Sequence, residues 1–179
     1  SGDSNRLIEV VTELGTIIFP TNILENTEVP YGGTIELVIS RADASGLDED
    51  AKAQIGNRPV IDIYFRVNSV AVPWSNSSLP VNVSIPYSPS RGEDKEKIAV
   101  WYIDDNGNIV PVYSGKYDSS TGTVTFTTTH FSKYAVAYVD ISFEDISKYA
   151  WAKREIEVLA SKGIIKGTSA ARKIFNPSA

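Results

Sequence analysis

The chain has no cysteine among its 179 residues and a single histidine, His130. The first absence excludes disulfides, thiolate metal sites and cysteine nucleophiles. The second excludes a histidine-rich metal site and leaves a serine-histidine-acid triad one imidazole to use, with no Gly-x-Ser-x-Gly elbow beside it. His130 falls between two predicted strands, next to Phe131, where a corner residue bonded to backbone is the expected role. No apolar run has the length needed to cross a bilayer, so membrane insertion is not expected. The opening residues SGDSN lack the basic and apolar regions of a signal peptide, and residues 1–5 read as linker or appended residues.

Other chemistry is missing as well. Gly32 and Gly33 precede a strand and not a helix, so they form no phosphate loop. The acidic stretches Asp43, Asp48, Glu49, Asp50 and Asp104-Asp105-Asn106 lack the spacing of an EF-hand and read as solvated loop and turn residues. No metal and no cofactor is expected. Carboxylates are concentrated in loops with no pair that spacing places across a cleft, so the chain reads as non-catalytic, with no catalytic residues. Basic and aromatic residues do not interleave, which speaks against nucleic acid.

What is present suits a packed domain with a small appendage. Apolar residues make up 42% of the chain, enough for a core. Charge is uneven: from residue 141 onward seven Lys and Arg face four Asp and Glu, a net of +3. That leaves 10 basic and 18 acidic residues before it, a net of −8. A basic module on an acidic carrier suits an anionic ligand at the C-terminal end, although solvated helix-face lysines would give the same count.

Residues 6–139 read as nearly all β. Arg6 to Thr12, Gly15 to Pro20 and Thr34 to Ser40 are predicted strands. The clearest is Val60 to Asn68, where Ile61, Ile63, Phe65 and Val67 alternate with Asp62, Tyr64, Arg66 and Asn68, one face dry and one wet. Leu47 to Ile55, stopped by Gly56, is predicted as a short helix on the connection between them. Val81, Val83 and Ile85 alternate before Pro86. Lys97 to Ile103 pairs with Ile109 to Tyr113 across Asp104-Asp105-Asn106-Gly107-Asn108, and a second hairpin joins Tyr113 to Tyr117 with Thr123 to Thr129. Lys133 to Val139 is the last strand. Eight or nine short strands with turns between them predict a mainly β fold, an immunoglobulin-like two-sheet antiparallel sandwich over residues 6–139. From Ile98 through Thr129-His130-Phe131-Ser132-x-Tyr134-Ala135-Val136, the segment resembles a β-sandwich module of bacterial surface proteins and is similar to ZU5-type sandwiches. An alternative use of this sandwich is carbohydrate binding, with Trp74, in the polar stretch PWSNSSLP, or Trp101 stacking on a sugar ring; a tryptophan closing one end of the core is the competing role for each.

Residues 140–179 change character. Ala152, Ile156, Leu159 and Ala160 fall on one helical stripe, with Lys153, Arg154 and Glu157 off it. Ser147 is the expected N-cap, Gly163 the C′ residue, and Ile164 the residue that folds back in a Schellman closure. The order Phe143-x-Asp145, Trp151-Ala152, Ile156-x-x-Leu159, Gly163-Ile164-Ile165-x-Gly167 and Phe175-x-Pro177 resembles the opening two thirds of an S-layer homology (SLH) motif. The family's second long helix and its Thr-Arg-Ala-Glu signature would lie beyond Ala179, so the motif reads as partial. The resemblance implies an extracellular place at a bacterial cell surface or S-layer, and a complete SLH region that binds secondary cell-wall polysaccharide. By it, Trp151 lines the binding groove while Gly163 and Gly167 shape its backbone; Lys162 or Lys166 is a further guess for a cation. The expected role is a non-catalytic sandwich spacer leading into an SLH anchoring region, with a purely structural or adhesive spacer as a further alternative. A single short helix cannot bury enough surface alone, so its stripe is expected to be covered by the sandwich or by self-association with a second copy.

Overall fold

The computed structural model describes residues 6–25, 33–169 and 173–177. Residues 1–5, read above as linker, and Gly32 lie outside them. In chain order the elements are β1 (Leu7–Val11), β2 (Thr16–Pro20), β3 (Ile35–Arg41), α1 (Glu49–Ile55), β4 (Val60–Val67), β5 (Val70–Val72), β6 (Val81–Pro86), β7 (Ile98–Ile103), β8 (Ile109–Pro111), β9 (Lys116–Asp118), β10 (Thr123–Thr128), β11 (Lys133–Tyr138) and α2 (Lys153–Ser161). The strands form two sheets, ordered β1-β2-β6-β10-β9 and β3-β4-β11-β7-β8, with β5 added to β4. Every described pairing is antiparallel.

Period-two alternation puts the core between the sheets. Ile17 and Phe19 of β2, Val81, Val83 and Ile85 of β6, and Val124 and Phe126 of β10 meet Ile61, Ile63 and Phe65 of β4, Ile98 and Val100 of β7, and Tyr134 and Val136 of β11. The mainly β two-sheet sandwich expected from the sequence is the observed architecture. The central strands β7 and β11 go further and bury both faces. On their outer side Ala99, Trp101, Ile103, Ala135 and Ala137 are covered by Leu47 and by Ala51 and Ile55 of α1, a third layer. Helix α1 begins at Glu49 because the Asp48 carboxylate caps it, accepting from the Ala51 N–H at 2.8 Å, and Gly56 at φ +54° ends it.

The two hairpins belong to different sheets. In the first turn the Asp104 carboxylate accepts from the backbone N–H groups of Asn106 and Asn108, and Gly107 takes φ +79°. Strand β8 stops at Pro111, short of the expected Tyr113, because the chain then crosses to the other sheet. At Gly115 it passes so close to β7 that a Cβ would lie 2.8 Å from Val100. The second hairpin, β9–β10, therefore starts only at Lys116. Strand β5 was not predicted. Asn68 and Ser69, at φ +47° and +69°, make a tight two-residue turn that brings Val70–Val72 back onto β4.

Both sandwich tryptophans lie inside the protein. Trp74 is 6% exposed, its ring 4.7 Å from that of Phe131 and its Nε1–H donating to the Ile23 carbonyl at 2.9 Å. Trp101 is 7% exposed in the layer under α1. Sugar stacking at either residue would need an open indole face, and the packing leaves none. His130 sits at the corner between β10 and β11, its carbonyl accepting from the Tyr134 and Thr128 hydroxyls at 2.6 and 2.9 Å.

Candidate functional site

After β11 the chain leaves the sandwich at Asp140 and returns to it repeatedly. Phe143 packs on Phe175 with ring centroids 5.3 Å apart. The Asp145 carboxylate accepts from the N–H groups of Phe175 at 2.9 Å and Asn176 at 2.7 Å, and the Glu144 N–H donates to the Lys173 carbonyl. These bonds, first that from Phe175, hold the Asp145 carboxyl below the usual aspartate range. The sequence pair Phe143-x-Asp145 and Phe175-x-Pro177 is thus one closure seen from its two ends. Gly167 lies inside it: a Cβ there would stand 2.5 Å from the Ile174 carbonyl oxygen and 2.6 Å from the Phe143 ring.

Helix α2 differs from expectation in its start and its orientation. Ser147 does not cap it. Ser147–Tyr149 instead form a 3-10 turn following fully buried Ile146, and α2 starts at Lys153 with no side-chain cap. The Tyr149 N–H, a donor that a capping Ser147 would have satisfied, bonds instead to the Ile146 carbonyl, and the Ala152 N–H bonds to that of Tyr149. The buried face is also rotated from the predicted stripe. Ile156 and Ala160 enter a small cluster with Phe143, Ile146, Ile165 and Phe175, but Glu157 and Ser161 are buried while Leu159 remains 39% exposed. The reason is that α2 meets two surfaces, its own apolar loop and a charged rim of the sandwich.

That rim forms a clamp. Lys97, buried at the start of β7, reaches Asp140 at 2.6 Å and Glu157 at 3.5 Å. Arg154 pairs with Asp94 at 3.3 Å and with Glu96. Lys162 donates to the carbonyls of Ile98 and of Gly115, the latter at 2.9 Å. Burial without a carboxylate in contact pushes the Lys162 ammonium down to about 8. At the end of α2 the N–H groups of Gly163 and Ile164 bond back to Ala160 and Leu159, the predicted Schellman closure, with Gly163 at φ +72°. A Cβ on Gly163 would lie 2.7 Å from Pro111 of β8, so glycine serves both the turn and the close approach.

Trp151 stands apart from this packing, 82% exposed at the N-terminal end of α2. Gly163 lies at the other end of that nine-residue helix, about 14 Å along its axis. Trp151, Gly163 and Gly167 therefore do not converge on one pocket within the described residues; both glycines are occupied by internal contacts and Trp151 faces solvent. Lys162 is tied to the sandwich, while Lys166 is exposed. Sequence reasoning missed the clamp of Asp94, Glu96, Lys97, Asp140, Arg154 and Glu157, and its one legible signal was Glu157 placed next to Ile156 at the edge of the apolar stripe.

Among the described residues no helix is long and apolar enough to cross a membrane. No solved structure matches the chain. It is similar to an amylopullulanase of Thermoanaerobacterium thermosulfurigenes, 44% identical over 92 residues, which are 51% of this chain and 5% of that enzyme. The chain thus spans a small fraction of the curated relative's length. Residues 142–179 match the S-layer homology domain family, and the longer alignment to the relative cannot be contained within those residues alone. With the motif residues placed as described, residues 142–179 carry the S-layer homology match, and these likenesses support a cell-surface anchoring region in this part of the chain.

Proposed function

We propose that this chain is a rigid mount for a cell-wall anchor: the sandwich acts as a spacer, and the SLH segment clamped to it takes part in binding secondary cell-wall polysaccharide. The observation that carries the proposal is Trp151, a large aromatic residue left 82% exposed on a segment whose two phenylalanine rings, Phe143 and Phe175, pack on each other. An exposed indole offers a flat apolar wall for a sugar ring, and exposed Lys148 and Lys153 nearby in the chain suit an anionic polymer. Gly163 and Gly167 contribute by shaping the backbone that holds the segment. The role is non-catalytic and is exercised outside the cell, at the surface or S-layer.

The test is co-sedimentation with purified sacculi, untreated and stripped of secondary polymer by hydrofluoric acid. Retention by untreated sacculi, lost on stripping and weakened about tenfold by Trp151→Ala, is expected. Equal retention by stripped sacculi, or by the Trp151→Ala chain, contradicts the reading. A second use of the segment is favoured by Leu159 and Ile164, 39% and 50% exposed at the end of α2: self-association that covers them. Sedimentation velocity would then show a dimer that Leu159→Lys abolishes, and a concentration-independent monomer would refute it.

A further inference from the structure

The sandwich carries a groove of about 1070 Å³ that the anchoring role does not use. It opens where the second sheet forks. Strand β11 pairs with β4 only over residues 60–62, and β5 pairs with it over 65–67. Between these ladders, at the Ile63 N–H to Ser132 carbonyl bond, the corner 130–132 and the segment 71–75 diverge and leave the outer face of β4 uncovered. The loop 43–47 before α1 and the hairpin turn 104–107 form the walls, beyond the reach of the α1 layer.

We infer that this groove binds a neutral oligosaccharide, with Tyr64 supplying aromatic surface and Asp62, Asp105 and Lys133 supplying hydrogen bonds to sugar hydroxyls. Asp62 and Tyr64 are two residues apart on β4 and so share its outer face. Lys133 stands directly opposite Asp62 in register, yet the two do not close to an ion pair, and Lys133 makes none with any described residue. Asp104 and Asp43 are committed to their own turns, whereas the Asp62 and Asp105 carboxylates receive no side-chain donor. At the groove's edge the His130 ring lies 4.5 Å from Tyr102 with its buried Nε2 lacking a hydrogen-bond partner among the described residues. Burial raises the Asp62 carboxyl, a desolvated acceptor with room for a donor.

Chemistry narrows the ligand. Four aspartates against one lysine repel a polyanion, which separates this site from the anionic polymer proposed for Trp151. The polar floor disfavours a purely apolar ligand, and among the described residues no group of three or more His, Asp or Glu could hold a metal ion. Carboxylates without a side-chain donor, an ammonium and a phenol ring on one face suit a polyhydroxylated, uncharged molecule. The volume exceeds the ~300–1,000 Å³ of an ordinary small-ligand pocket, room for more than one ring.

The experiment titrates the whole chain with neutral hexasaccharides (maltohexaose, cellohexaose and xylohexaose) and, in a separate arm, spermine, followed by backbone amide shifts and calorimetry. Saturable binding of at least one hexasaccharide is expected, with shifts centred on Asp62, Tyr64, Asp105 and Lys133. Tyr64→Ala should weaken it about tenfold and Asp62→Asn measurably less, with Trp151→Ala unaffected. Unchanged strand amide shifts in each variant establish that it is folded. No binding of any hexasaccharide at millimolar concentration, shifts centred elsewhere, binding indifferent to Tyr64→Ala, or binding of spermine alone would each overturn the inference. Sacculus retention by the SLH segment is unaffected by either result.

Discussion

In the sandwich, Ile63, Val83, Val124 and Val136 lose all solvent contact between two sheets, whereas among the described residues of 140–177 the buried apolar side chains are Phe143, Ile146 and Ala160, and of these Ile146 alone loses all solvent contact. The first region satisfies its backbone through strand ladders and its stability through a continuous apolar layer. The second is too small for that. It is held by one carboxylate closing its own loop, by ion pairs at the sandwich rim, and by two lysines, Lys97 and Lys162, that reach into the neighbouring domain. The difference teaches that a short helical segment can be ordered by a host that offers charges and carbonyls, without a large core of its own.

The comparison can be broken most severely at Ile63. Ile63→Ala removes a fully buried side chain from the intersheet core and should cost about 2–5 kcal/mol; a thermal melt should show both regions lost together at a lower temperature. Ile146→Ala should cost about 2–4 kcal/mol within the segment alone. Hydrogen exchange should then quicken in α2 while β7 and β11 keep their rates. Gly163→Ala, strained at φ +72° and facing Pro111, should destabilise docking by about 1 kcal/mol or more, read from the same amides.

Titrations sharpen the contrast. The Lys162 pKa is about 8 in the folded chain and ~10.4 when free, so the folded state binds fewer protons in that window. Docking should therefore strengthen as pH rises from about 8 toward 10, a slope that Lys162→Met removes. Above about pH 10 Tyr87, whose burial pushes it up to about 12, acts in the opposite sense and destabilises the sandwich. The smallest effect belongs to Asp145. Its lowered pKa gives stability that is present above the usual aspartate range and lost as pH falls through the lowered value, and Asp145→Asn should flatten the segment's acid sensitivity with the sandwich unchanged.

Much of this was legible in residue order. Alternation in Val60–Val67 and in Val81–Pro86 marked intersheet strands because one face of each meets the core. Gly163 and Ile164 announced the helix closure that is found. The outer layer was less visible, since Ala99, Trp101 and Ala135 are covered by a helix distant in sequence, and short-range periodicity carries no record of that cover. Strand β5 hid behind an Asn-Ser turn in which neither residue is glycine. The rotated face of α2 was illegible for a different reason. Its hydrophobic stripe is real, but Glu157 and Ser161 are also buried, and Glu157 meets Lys97 of another region. The likeness of the segment to the S-layer homology family was readable from motif order, whereas the groove at the sheet fork depends on pairings that only the folded chain reveals.

The central claim is that the SLH segment is folded by being clamped to the sandwich. Amide hydrogen exchange of α2, measured in the intact chain and in a chain carrying Lys97→Ala and Arg154→Ala together, tests it most directly. Protection of the α2 amides from Ile156 to Ser161 in the intact chain, below that of β7 and β11 and largely lost in the double variant, is the predicted result. Unprotected amides in the intact chain, or protection that survives the double variant undiminished, would contradict it.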